Sequence, residues 1–168
     1  MLDSDQRVKD GLCELLPRLR RFARALAGNP QDADDLVQTA VERALARASQ
    51  WRSDMRLDAW LYGIVRNAWI DEVRSRGRVR HLFAPDDAGA NVGESSIDAQ
   101  FIRMSVEAAM AKLPEEQRSA VALVLIEGLA YKEAASALDI PMGTLTSRLA
   151  RGREALKRML GDNAEVDT

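Results

Sequence analysis

Tyr131-Lys132-Glu133-Ala134-Ala135-Ser136-Ala137-Leu138-Asp139-Ile140-Pro141-Met142-Gly143-Thr144-Leu145-Thr146-Ser147-Arg148-Leu149 has the spacing of a helix-turn-helix. Small Ala135 lets two helices cross closely, Leu138 and Ile140 fill the angle between them, and Leu145 and Leu149 anchor the second helix from beneath. Thr144, Thr146, Ser147, Arg148 and Arg151 are then left facing outward, where they can enter a DNA major groove. A helical hairpin that never meets DNA is the plainer reading of the same spacing. Asp139 holds the turn position where glycine is usual; aspartate tolerates a left-handed backbone there at some cost.

Around this motif almost every long segment has helical period, and no run alternates as a half-buried strand does. Upstream lie a helix over 97–112 and then Leu113-Pro114-Glu115-Glu116. Proline at a first helical position, followed by acids in the first turn, announces a helix to about residue 127, which Gly128 ends. The final helix is expected over 143–160, with a frayed polar tail after Gly161. Residues 77–96 lose the period and contain Gly77, Pro85, Asp86, Asp87, Gly89 and Gly93, the composition of a flexible linker. Before it, helices are expected over 8–27, 32–48 and 58–76. The first has Leu12, Leu15, Leu16, Leu19, Phe22, Ala23 and Leu26 as a stripe, and the second buries Leu36, Val37, Ala40, Val41, Ala44 and Leu45. In the third, Leu61, Ile64, Val65, Ala68 and Val73 face a core, with Tyr62, Arg66, Asn67, Trp69 and Ile70 on its other sides. The expected fold class is all-α: two small helical domains, 1–77 and 97–168, joined by a linker at 78–96.

Bulk properties narrow the function. A chain of 168 residues, 46% hydrophobic and 30% charged, suits two small globular modules. No segment has the apolar length of a membrane span, and the charged stretch 1–10 is unlike a signal peptide, so a cytoplasmic location is expected. Cys13, set among Leu12, Leu15 and Leu16, is expected as a buried structural thiol, and His81 has no partner for a metal site. The net charge of −2 argues against indiscriminate coating of nucleic acid. Two basic clusters stand out on this acidic whole: Arg66, Arg74, Arg76, Arg78 and Arg80, and later Arg148, Arg151, Arg153, Lys157 and Arg158. They suit targeted phosphate contact, although solvated helix faces would look the same. A phosphate-cradling glycine motif, a nucleophile elbow and a metal cluster are all missing from the sequence, so neither an enzyme nor a cofactor is expected.

Leu113-Pro114-Glu115-Glu116-Gln117-Arg118, Gly128-Leu129-Ala130-Tyr131-Lys132-Glu133-Ala134-Ala135 and the run from Ile140 to Arg153 together resemble region 4 of the extracytoplasmic-function (ECF) sigma factors. Asp34-Asp35-Leu36-Val37-Gln38 and Trp60-Leu61-Tyr62-Gly63-Ile64-Val65-Arg66-Asn67-Ala68-Trp69-Ile70-Asp71 resemble region 2 of the same family. Two unrelated motifs in the right order are more specific than one helix-turn-helix.

The resemblance implies partners and roles. Core RNA polymerase is met through Asp34, Asp35 and Gln38; as helix-dipole complements the two acids have a structural role too. The −10 promoter element is captured by the third helix and the preceding loop, through Arg52, Arg56, Tyr62, Arg66, Asn67, Trp69 and Arg74. Extruded bases need surfaces to stack on and a cationic track for their phosphates, and these residue types supply both. Among the aromatics Trp60 is expected to belong to the core. Thr144, Thr146, Ser147, Arg148 and Arg151 would read the −35 element, and an anti-sigma factor would hold the two modules in a compact, occluded arrangement. Thr146 stands where the family often has lysine or arginine, and Ala150 where some members carry a larger side chain, which bears on −35 preference. Two other function classes share part of the pattern: a sigma-like decoy that binds an anti-sigma factor without touching DNA, and a two-domain helix-turn-helix regulator. The decoy need not keep the −10 aromatics, and the regulator predicts a dimer with a ligand pocket.

Overall fold

A computed structural model of the protein describes residues 3–83 and 106–164. In chain order these form α1 (Ser4–Ala27), α2 (Pro30–Ala46), a 3-10 turn (Ala48–Gln50), α3 (Leu57–Phe83), α4 (106–112), α5 (Glu115–Val121) continuing into a π-helical segment (Ala122–Ile126), α6 (Tyr131–Leu138) and α7 (Met142–Ala164). All regular elements among the described residues are helical, as the hydrophobic period requires.

The first three helices form one core. Gly28 ends α1 at φ 81°, a left-handed cap whose N–H donates to the Arg24 carbonyl. One residue on, the Asn29 side chain accepts from the Asp32 N–H at 2.8 Å, and Pro30 opens α2. The sharp corner folds α2 back on α1, so that Leu12, Leu19, Phe22, Ala23 and Leu26 meet Leu36, Val37, Ala40 and Ala44. Phe22 also meets Tyr62 of α3 edge to face, ring centres 5.2 Å apart. Burial of each large apolar side chain here contributes about 1.5–3 kcal/mol.

The second core joins α4 to α7. Met110, Leu113, Val121, Leu123, Leu129, Leu138, Leu145 and Leu149 are all buried. Helix α7 crosses α5 at Gly152, where an added Cβ would stand 2.7 Å from Val121 Cγ2. Arg118 staples the module together. Its guanidinium donates to the carbonyls of Met110 (2.9 Å), Ala111 (2.9 Å) and Leu113 (2.8 Å), capping the end of α4, and also to Leu26 of α1 at 3.0 Å.

The structure departs from the sequence reading in several places. Helix α3 runs on to Phe83, through the glycine expected to end it, and α7 runs on to Ala164; of the linker expected over 78–96, residues 78–83 are helical and 84–96 lie outside the described residues. Pro114 is the cap before α5 rather than its first residue. Cys13 is exposed, because it lies one helical step beyond Leu12 and points off the buried stripe. Leu45 and Val73 are exposed where core was expected. The largest difference concerns α3, which is buried on two sides. Leu61, Val65 and Ala68 face the first core, and Tyr62 and Trp69 are buried as well; Tyr62 lies between Phe22 and Arg18 of α1 and Glu127 of the second module. Trp51 is likewise buried, its indole donating to the Met55 carbonyl at 3.1 Å, whereas Trp60 is only partly buried. The expectation that singled out Trp60 for the core is corrected accordingly.

At the turn between α6 and α7, Asp139 adopts φ 53° and ψ 50°. Glycine adopts this conformation without the steric penalty a Cβ brings. Asp139→Gly is expected to raise stability by about 0.5–1 kcal/mol, measured as a higher thermal midpoint. A lower midpoint would show that the Asp139 side chain stabilises the turn by more than the backbone strain it carries.

Candidate functional site

Asp34 and Gln38 are exposed and one helical turn apart on α2. They line a groove of 810 Å³ between α1 and α2, together with Leu16, Pro17, Arg20 and Val41. Asp35, also exposed, turns instead toward α3, into a smaller hollow shared with Asp32, Glu72 and Arg76. The three residues therefore occupy both flanks of one helix rather than a single patch.

The hollow beside Asp35 is organised by an ion pair that the sequence does not reveal. Arg76 grips Asp32 with both terminal nitrogens, at 3.0 and 2.8 Å, and its Nε reaches Glu72 at 2.9 Å. The Asn29 amide adds a fourth contact, to Asp32 at 2.7 Å. Hydrogen bonds from Arg76 and then Asn29 hold the Asp32 carboxyl down at about 2. Arg76, counted above with the basic cluster, is thus engaged within the chain, while Arg74 and Arg78 stand exposed and line a shallow basic groove with Asp71 and Gly77.

The residues named for the −10 element separate into two groups. Arg52, Asn67 and Arg74 face outward. Arg56, Tyr62 and Arg66 lie along the seam where the second module meets α3, and Trp69 is buried one turn further along the helix from Arg66. Arg56 binds Asp58 through two nitrogens, at 3.1 and 2.8 Å, and lies 4.0 Å from Glu133 of α6. Arg66 lies 3.9 Å from Glu115 of α5. Tyr62 has no exposure and donates its hydroxyl to Glu127 at 3.1 Å; burial, then the neighbouring carboxylate, pushes its phenol above the usual range. Tyr62 and Trp69 are therefore interior in this arrangement, not surface platforms for bases.

Glu127 was not anticipated. It closes the apolar run from Val121 to Ile126, and the π-helical segment before it sets its side chain, with no exposed area, into the seam. Arg21 of α1 donates to its other oxygen at 2.6 Å, which raises the Arg21 pKa. A lone acid at the end of a hydrophobic segment was the available signal.

The residues named for the −35 element lie near one another on α7. Leu145 and Leu149 are buried beneath them, while Ser147 and Arg151 are exposed. Thr144, Ser147, Arg148 and Arg151 line a shallow hollow of 400 Å³ with Glu116, Gln117 and Gly143, and Arg148 lies 3.8 Å from Glu116. The exposed Thr146 donates its hydroxyl to the Met142 carbonyl at 2.9 Å.

Comparison with known proteins agrees with this two-module architecture. Residues 12–66 match the family described as the Sigma2 domain of PhyR, and residues 103–156 match Sigma-70 region 4. The chain is 35% identical to the ECF RNA polymerase sigma factor EcfG of Rhodopseudomonas palustris, over 91% of this chain and 84% of that protein. The chain belongs to the ECF sigma-factor family. It is also 35% identical to the ECF sigma factor SigM of Mycobacterium tuberculosis, over 86% of this chain and 72% of that one. Among solved structures, the sigma factor RpoE of Bartonella quintana, crystallised with the anti-sigma factor NepR, superposes with a TM-score of 0.75 at 32% identity, covering 95% of this chain and 98% of that one. CnrH, solved with the cytosolic domain of CnrY, shares the fold at a TM-score of 0.69 and 22% identity, over 97% and 91%. As a sigma factor the protein directs transcription. Region 2 is the first core and region 4 the second, and no helix among the described residues is long and apolar enough to cross a membrane.

The Asp32 bridge gives region 2 a pH signature. The folded pKa lies below the ordinary value of 3.8, so its stabilisation is present above that value and is lost as pH falls toward 2. Asp32→Asn is expected to lower neutral-pH stability by on the order of 1 kcal/mol. It should also flatten the fall in stability between about pH 4 and 2, read from denaturant midpoints across that window. An unchanged acid profile would show that the bridge does not persist in solution.

Proposed function

We infer that this chain binds core RNA polymerase and brings it to promoters by reading a −35 element with α7 and capturing melted −10 bases with α3 and the loop before it. The observation that carries the reading is the α7 face. Thr144, Ser147, Arg148 and Arg151 converge on one outward hollow above two buried leucines, the display a recognition helix needs. Arg148 and Arg151 have the forked donors that meet guanine or phosphate. Asp34, Asp35 and Gln38 supply the acidic and amide groups for the polymerase clamp, and Arg52, Asn67 and Arg74 the outward part of the −10 surface.

An anti-sigma factor belongs to the same reading, supported by the likeness to a sigma factor captured with one. Promoter engagement then requires the seam between regions 2 and 4 to open, because Tyr62 and Arg66 are covered while it is shut.

The direct test adds the purified chain to core polymerase with a genomic template pool and maps transcript starts. Starts behind a shared two-part motif support the assignment; an unchanged transcript profile refutes it. Asp34→Arg, chosen because Asp35 shares its hollow with the Asp32 bridge, is expected to weaken core-polymerase binding by about tenfold or more. Parent-like affinity from a folded variant would remove the α2 ridge from the interface.

Alanine at Arg148 or Arg151 separates two kinds of contact on a promoter library. Loss at one base position, by about 1–3 kcal/mol, marks guanine reading, and uniform loss marks phosphate contact. Retention of full affinity by both variants would remove α7 from the groove. Asn67→Ala should slow open-complex formation on duplex promoters and spare a template already mismatched across the −10 region, where the unpairing cost is gone. Equal impairment on both templates would defeat the base-capture role.

A further inference from the structure

Asn67 and Arg74 stay exposed on α3, but the part of the −10 surface that carries Tyr62 and Arg66 is covered by region 4, and what meets it is acidic. Three carboxylates from three successive segments reach across the seam: Glu115 at the start of α5, Glu127 after the π-helical segment and Glu133 in α6. Glu115 lies 3.9 Å from Arg66 and Glu133 lies 4.0 Å from Arg56. Glu127 accepts from Arg21 at 2.6 Å and from the Tyr62 hydroxyl at 3.1 Å. Two of these contacts fall on arginines, and one on a tyrosine, that the −10 reading gives to the promoter strand.

Gly63 gives an independent sign that the seam is built in. Glycine inside a helix weakens it relative to alanine, yet Gly63 sits in the middle of α3. An added Cβ there would stand 2.8 Å from the Ala137 carbonyl oxygen of α6. The missing side chain is what allows α6 to lie against α3 this closely. The three atoms nearest that position all belong to the Ala137 backbone of α6.

The seam is also imperfect. Arg66 Nε, Trp69 Nε1 and Glu133 Oε2 are buried without a hydrogen-bond partner. Buried polar atoms left unpaired oppose closure; once the modules part, water can reach all three, and a strand on α3 can accept from the two donors, Arg66 Nε and Trp69 Nε1.

We propose that region 4 is an intramolecular competitor for the −10 strand: Glu115 and Glu133 take the places of strand phosphates beside Arg66 of α3 and Arg56 just before it, and Glu127, held by Arg21 of α1 and the Tyr62 hydroxyl of α3, is the latch that holds the free chain shut. The proposal rests on the −10 reading of α3. A carboxylate is a fitting stand-in for a phosphate, since both are recognised by the same forked guanidinium donors. Glu127 contributes most because it is the fully buried member of the three, and two partners from region 2 compensate its charge.

The full chain supplies its own probe position. Cys13, its one cysteine, is exposed on α1; Lys157→Cys adds a second label on the exposed face of α7, and energy transfer between them reads closure. Anisotropy with a short single-stranded oligonucleotide, carrying the −10 sequence found by transcript-start mapping, reads access to α3. Glu127→Gln keeps the shape and removes the charge, whereas Gly63→Ala leaves every charge in place and wedges the seam apart. Each is expected to lower energy transfer and to raise oligonucleotide affinity by about tenfold, the equilibrium equivalent of one charge-assisted hydrogen bond.

If Glu127→Gln fails to fold, Gly63→Ala decides alone, since alanine strengthens a helix interior. Unchanged transfer and affinity in folded variants overturn the proposal, as does opening without any gain in affinity. A parent that opens promoters with core polymerase while the free variants gain nothing overturns the competitor role and leaves the −10 reading standing. A parent that cannot open promoters with polymerase overturns both.

Discussion

Helix α3 has to serve two cores at once. Leu61, Val65 and Ala68 lock it against α1 and α2, and the ridge carrying Tyr62 and Arg66, one helical turn apart, meets region 4. A helix with one buried face can be amphipathic, and its polar side is then free for a ligand. A helix covered on both sides cannot display what it covers. Most of the arrangement at the seam follows from this: the glycine that lets α6 approach, the acids that meet the ridge arginines, and the tyrosine hydroxyl that must find a partner because no water reaches it.

The element order was legible because most of the helices carry a local start or stop, although α3 and α7 run past the glycines expected to end them. Asn29-Pro30 and Gly28 set the α1–α2 corner, Gly128 at φ 72° ends the π-helical segment, and Asp139 makes the left-handed turn that the motif spacing requires. These are local signals, and local signals survive in a single sequence. The anchoring pair Leu145 and Leu149, both buried beneath the outward face of α7, was legible for the same reason: a period of three to four residues fixes inside and outside within one helix.

What the sequence did not disclose is long-range pairing. Arg76 looks like any member of a basic cluster until Asp32, 44 positions earlier, is seen beside it. Glu127 and Arg21 are separated by 106 positions. No periodicity connects them, and a charge assigned to solvent or to DNA cannot be told from one held by a distant partner. The same blindness misjudged the aromatics. Trp60 was expected in the core, but Tyr62 and Trp69 are the more buried, and part of what covers Tyr62, Glu127, belongs to the other module.

The strength of the seam is bounded from both sides by its own chemistry. A carboxylate with no exposed area, such as Glu127, is tolerated only because Arg21 and Tyr62 offset its desolvation; taken singly, such pairs often do little more than break even. Arg66 Nε, Trp69 Nε1 and Glu133 Oε2 subtract from it, each a buried polar atom without a partner in the protein. The Arg66–Glu115 and Arg56–Glu133 distances, 3.9 and 4.0 Å, are those of charges in proximity rather than of short hydrogen bonds. Apolar burial around Tyr62 and Ala137 must therefore supply much of the closure. Burial of that kind is non-directional, so a partner offering comparable apolar surface and better-placed anions can replace region 4 on α3 without having to reproduce its geometry.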